Sequence, residues 1–127
     1  MYKPFLQYAS LLGALSVALG AFAAHGLKKV ANDQAISIFE TAVKYQFYHV
    51  FALALSGILY QYFPNKIMLS AGYLFMVGVA LFSGSLYLLT YFKITNLTQY
   101  FWVGAVTPFG GLSLIIGWIC LFLGLKK

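Results

Sequence analysis

Apolar residues dominate the chain in long unbroken stretches, and polar ones fall in short clusters between them. Four stretches stand out, over residues 5–24, 45–63, 67–92 and 100–125. Each is close to or beyond the roughly 20 apolar residues, at ~1.5 Å rise, that carry a helix across a bilayer. A membrane barrel would instead show alternating segments of about ten residues. Over such lengths only a helix satisfies its own backbone in hydrocarbon. The pattern predicts an all-α fold: an integral membrane four-helix bundle, one domain over residues 1–127, with its helices running alternately up and down. Pro64-Asn65 marks a tight reversal between the second and third spans.

Ahead of the second span the pattern changes. From Ala35, apolar residues recur at Ile38, Phe39, Ala42 and Val43, while Asp33, Gln34, Ser37, Glu40, Thr41 and Lys44 take the other face. This predicts a short interfacial amphipathic segment over residues 34–44, lying at the membrane surface and then continuing or bending into the second span. Two residues compete to cap it: Ser37, in a Ser37–Glu40 capping box, and Asp33.

Composition supports a lipid environment. Of 127 residues 62% are hydrophobic and 8% charged, whereas a soluble domain carries about 25% charged residues. The net charge of +6 comes with no basic run longer than two residues. It therefore reads as anchoring at the lipid surface and excludes nucleic acid as a partner. The partners expected are the lipid bilayer and either further copies of the chain or another membrane protein. Four spans place Lys3, Lys66, Lys126 and Lys127 on the side of the termini, and Lys28, Lys29, Lys44 and Lys93 on the other. That balance does not fix orientation by the excess of cytoplasmic lysine and arginine. Both termini are assigned to one side of the plasma membrane, the cytoplasmic one. Lys3, the first apolar run and Ala21-Phe22-Ala23 also fit a signal peptide, but the run exceeds a cleavable core and is read as an uncleaved span.

Candidate chemistry gathers in the half of the bundle away from the termini. His25, Glu40, Lys44, Tyr45, Gln46, Tyr48, His49, Ser83, Ser85, Tyr87 and Thr107 form a candidate polar cluster for a ligand, a partner or the structure itself. An ionisable group inside a membrane costs roughly 2.5–3.5 kcal/mol on insertion scales, so each asks for a reason. His49 shares its helix face with Tyr45 and Gln46. A structural histidine, bonded to Tyr, Ser or a carbonyl, is favoured over a metal ligand, because no H-x-x-x-H or E-x-x-H spacing occurs. No metal, cofactor or catalytic residue is expected, and the single Cys120 reads as packing. Small residues four apart, among them Gly13, Gly20, Ala24, Gly84 and Gly117, suit close helix approach. Pro108, followed by Gly110 and Gly111, predicts a kink near residues 104–108.

Four segments, GAFAAHGLKK, FETAVKYQFYH, LFSGSLY and GAVTPFGGLSLIIGW, resemble uncharacterised protein family 0382, also classed as domain of unknown function 423 and related to transmembrane protein 256. The resemblance touches all four stretches in order. It is carried by Gly20, Ala21, Phe22, Ala24, His25, Gly26, Glu40, Tyr45, Gln46, Tyr48, His49, Ser83, Gly84, Ser85, Thr107, Pro108, Gly110 and Gly111. Ala23 stands where members of that family usually have Gly, adding one methyl to a helix contact. The resemblance implies a four-span bacterial plasma-membrane protein and implies no reaction. Two functions fit the residues: a structural or helper membrane subunit, and a small oligomeric transporter or channel with a one-sided polar vestibule.

Overall fold

The computed structural model describes residues 1–126; Lys127, one of the lysines assigned to the terminal side, lies outside them. The described residues form four α-helices: α1 (Lys3–Ala24), α2 (Asp33–Leu59), α3 (Lys66–Ile94) and α4 (Thr107–Leu125). Short 3-10 segments at Leu27–Lys29 and Thr98–Ala105 precede α2 and α4. Three segments, Lys3–Lys29, Lys66–Ile94 and Thr98–Leu125, are long and apolar enough to cross a membrane. The helix α2 carries Asp33, Glu40 and Lys44 in its first half and is not among them.

The ends of the helices have local causes. Pro4 sits in the first turn of α1, where its missing N–H is no loss. Asn32 caps α2, its side-chain oxygen accepting from the Ala35 N–H at 2.8 Å. This corrects both expected caps: Asp33 is the first helical residue, and Ser37 lies one turn inside, its carbonyl accepting from Thr41 Oγ1. Residues 34–44 therefore belong to one continuous 27-residue helix. The second apolar stretch was expected to stay helical to Phe63, yet α2 ends at Leu59 and residues 60–63 form a turn. Asn65 then caps α3, accepting from the Met68 N–H at 2.9 Å, and donates its amide to the Gly124 carbonyl at 3.1 Å. The turn between α2 and α3 is thereby fastened to the end of α4.

The expected kink appears as a full break. The 3-10 segment ends at Ala105, and α4 begins at Thr107 with Pro108 in its first turn. Proline is tolerated there because no earlier helical carbonyl needs its N–H. Gly26 keeps right-handed helical angles, φ −66° and ψ −41°, so it does not end the helix through a left-handed turn. Its lack of a side chain matters because a Cβ there would meet the Phe22 ring at 2.9 Å.

Each helix packs on the next in sequence, with α3 against both α2 and α4, while α1 and α4 share no comparable seam. The α3–α4 seam is the most extensive. At Gly110 a Cβ would overlap the Phe82 backbone, and at Gly117 it would meet the Phe75 ring at 2.8 Å. Gly13, Gly20 and Gly111 are looser, with ordinary contacts to Val50, Val43 and Phe82 at 3.5, 3.7 and 3.7 Å. Gly84 corrects its expected packing role, since nothing lies within 4 Å of where its Cβ would stand. Ala23 is buried with Leu27, Ile36 and Phe39, which puts its extra methyl into the core at the α1–α2 end, whereas Ala24 is exposed.

Candidate functional site

The expected cluster divides into a buried set and an exposed rim. Gln46, His49, Ser83 and Ser85 are buried, and Tyr87 and Thr107 half-buried. His25, Glu40, Lys44, Tyr45 and Tyr48 are exposed. The division follows helix geometry: residues 42, 46, 49, 50 and 53 of α2 recur every three or four positions and face the other helices.

Gln46 is the centre of the buried set. Its Nε2 donates to the Leu12 carbonyl of α1 at 3.2 Å, and its Oε1 accepts from the Tyr87 hydroxyl of α3 at 2.6 Å. One amide thus ties three helices together. One turn before it, the Ala42 carbonyl accepts from Ser83 Oγ at 2.7 Å, a second bond between α2 and α3. Ser85 Oγ donates to the Phe82 carbonyl at 2.9 Å, which leaves Thr107 Oγ1 as donor in their 2.6 Å contact. That bond ties α3 to the start of α4.

His49 lies between α2 and α4. Trp118 Nε1 donates to His49 Nε2 at 3.1 Å, and His49 Nδ1 lies 2.7 Å from the Tyr45 carbonyl. An indole nitrogen can only donate. Nε2 is therefore the acceptor, and the proton sits on Nδ1, where it bonds the carbonyl. Both ring nitrogens are engaged, and Phe75 closes the site with ring centroids 5.7 Å from His49 and 5.2 Å from Trp118. The sequence reading offered Tyr, Ser or a carbonyl as partner for His49 and did not include Trp118. The signal was present: a tryptophan N–H within a membrane segment needs an acceptor. His25 and Glu40 lie exposed instead, and the described residues contain no group of three His, Cys, Asp or Glu side chains that could hold a metal.

The polar interior also extends further than the sequence suggested. In the half near the termini, Ser113 Oγ donates to the Leu74 carbonyl at 2.9 Å and Ser56 Oγ to the Leu53 carbonyl at 2.8 Å. Tyr2 and Tyr73 share a 2.8 Å hydroxyl contact there. Polar groups are therefore not confined to one leaflet. Among the described residues, no buried side-chain nitrogen or oxygen lacks a hydrogen-bond partner.

Two residues of the exposed rim, Glu40 and Lys44, line a different feature. Lys28, Asp33, Ser37, Glu40, Thr41 and Lys44 face an open cleft of about 530 Å³ between the end of α1 and the first turns of α2.

Comparison with known proteins places these features in a family. The family model described as "Protein of unknown function (DUF423)" matches residues 19–111. The UPF0382 membrane protein SH2409 of Staphylococcus haemolyticus is 40% identical over 98% of this chain and 97% of its own. The UPF0382 membrane protein YwdK of Bacillus subtilis is 36% identical over 98% of both chains. A UPF0382 membrane protein of Haemophilus influenzae is 39% identical over 100% of this chain and 97% of its own. No solved structure matches the chain.

Proposed function

The chain belongs to the DUF423 family, its relatives are UPF0382 membrane proteins, and on that premise we propose that it is a non-catalytic helper subunit of the plasma membrane. In this reading α2 is the fourth span of the bundle. Its apolar part from Tyr45 to Leu59 crosses the membrane, and its charged first turns lie at the interface. Both termini then share one side, taken as cytoplasmic.

One observation carries the reading. The buried amide, imidazole and hydroxyl groups bond to one another or to backbone carbonyls, and most of those bonds join different helices. Small residues and interhelical hydrogen bonds hold membrane helices together, since lipid supplies no hydrophobic force between them. A transport path needs polar groups free to exchange partners with a solute. A set already paired supports a rigid scaffold that presents its outer faces to something else. The runner-up, a small oligomeric transporter, draws on the charged cleft at one end. It would need self-association to enclose a pore, because four short helices enclose little space.

Native mass spectrometry of the protein, gently extracted from its own membrane, separates the two. The helper reading expects a foreign chain at fixed stoichiometry. A bare homo-oligomer that also carries flux in liposomes, with flux abolished by His49→Ala, would overturn it.

A further inference from the structure

The charged cleft does not end at the membrane surface. It shares Lys28, Glu40 and Lys44 with a neighbouring cavity of about 240 Å³ floored by Gly20 and Ala24. That cavity shares Val43 and Lys44 with a third of about 190 Å³, which shares Val17 and Phe47 with a fourth of about 370 Å³. The four form one groove along the α1–α2 seam, charged at one end and apolar along the rest. From Gly20 to Leu6 it follows α1 for about 21 Å at ~1.5 Å per residue, more than half of a ~30 Å hydrocarbon core.

The groove exists because α1 is narrow on this side. Ala9, Gly13, Ala14 and Gly20 leave its floor low, and Phe47 and Phe51, edge to face with ring centroids 5.1 Å apart, stand beside it. The two serines along it are already bonded within α1, Ser10 to the Leu6 carbonyl and Ser16 to the Leu12 carbonyl. Neither hydroxyl therefore offers the groove an unmet donor. The charged end differs in kind, with two ammonium groups, Lys28 and Lys44, around the carboxylates of Glu40 and Asp33.

We propose that this groove is a binding site for one phospholipid with a zwitterionic primary-amine headgroup of the phosphatidylethanolamine type. Lys28 and Lys44 hold the phosphate, Glu40 accepts hydrogen bonds from the headgroup ammonium, and one acyl chain lies in the trough over Gly13 and Ala14. Charge complementarity selects this occupant. A purely anionic headgroup leaves Glu40 opposed by like charge, and a trimethylated one has no N–H to donate to it. The site is independent of the helper role, since a lipid can be held whether or not a partner chain is present.

The test uses full-length protein in nanodiscs of equimolar phosphatidylethanolamine and phosphatidylcholine, released into a native mass spectrometer. One phosphatidylethanolamine per chain is expected to survive release, favoured over phosphatidylcholine by about tenfold, the scale of one charge-assisted hydrogen bond. Lys28→Glu with Lys44→Glu, and separately Ala14→Phe, are each expected to lower retention by about tenfold without moving the melting temperature, because all three side chains are exposed. Glu40→Gln is expected to erase the preference between the two lipids. Equal retention of both lipids by wild type and variants would overturn the proposal. So would tighter retention of phosphatidylglycerol than phosphatidylethanolamine, or a foreign peptide cross-linked at position 14.

Discussion

Gln46 is an uncommon residue to find buried in so apolar a bundle, and its two hydrogen bonds explain it. The carbonyl end takes the Tyr87 hydroxyl and the amide end reaches the Leu12 carbonyl, so no polar atom faces hydrocarbon. Tyr87→Phe removes one bond and leaves Oε1 of Gln46 unmatched. It is expected to destabilise the protein by about 0.6 kcal/mol, the average for interhelical bonds in membranes, and by no more than about 1.7 kcal/mol. Tyr48→Phe, at an exposed position without a bond of this kind, should change little. Thermal unfolding in detergent, with Gln46→Leu completing a double-mutant cycle, checks both. Much of this residue-level detail was legible in the sequence. Gln46, His49, Ser83, Ser85, Tyr87 and Thr107 were identified as polar groups in an apolar setting. What the sequence did not supply was their partners, since four of those are carbonyls of Leu12, Ala42, Tyr45 and Phe82, which side-chain chemistry does not mark.

At the level of helices, length and apolarity were readable, and boundaries less so. The third stretch became α3 within two residues at each end, because continuous hydrophobicity and Asn65 both define it. The second did not, because α2 ends at Leu59 rather than Phe63. The amphipathic residues at 34–44 take the continuous course of the two open to them, their helical period running unbroken into Tyr45. Periodicity was the better guide there than the change in polarity. Glycines were the least legible. Gly84 and Gly110 look alike in sequence, yet one opens on empty space and the other touches the Phe82 backbone. Gly110→Ala is therefore expected to cost roughly 1–3 kcal/mol, as overpacking does, by forcing α3 and α4 apart. Gly84→Ala is expected to be neutral or slightly stabilising, since Ala favours helix. Chemical or thermal denaturation of the two variants side by side tests the contrast.

For the molecule as a whole, polar bonds link the helices: Gln46 to α1, Ser83 and Tyr87 to α2, Thr107 to α3, and Trp118 from α4 to α2. The outer faces of α1 and α4 are left to lipid or to a partner, with Leu11, Val17, Ile115 and Phe122 among their exposed side chains. In the proposed helper reading, such a molecule works through its surfaces and keeps its interior closed. Water access to that interior is therefore the deciding property. Single cysteines placed at Ser83 and Ser85, in a Cys120→Ala background, can be challenged in intact membranes with a membrane-impermeant thiol reagent, with Lys44→Cys as the accessible reference. A closed scaffold leaves both serine positions unlabelled while position 44 reacts. Labelling at 83 or 85 at a rate comparable to position 44 would mean that water reaches the buried polar set, and would contradict the helper reading in favour of a vestibule.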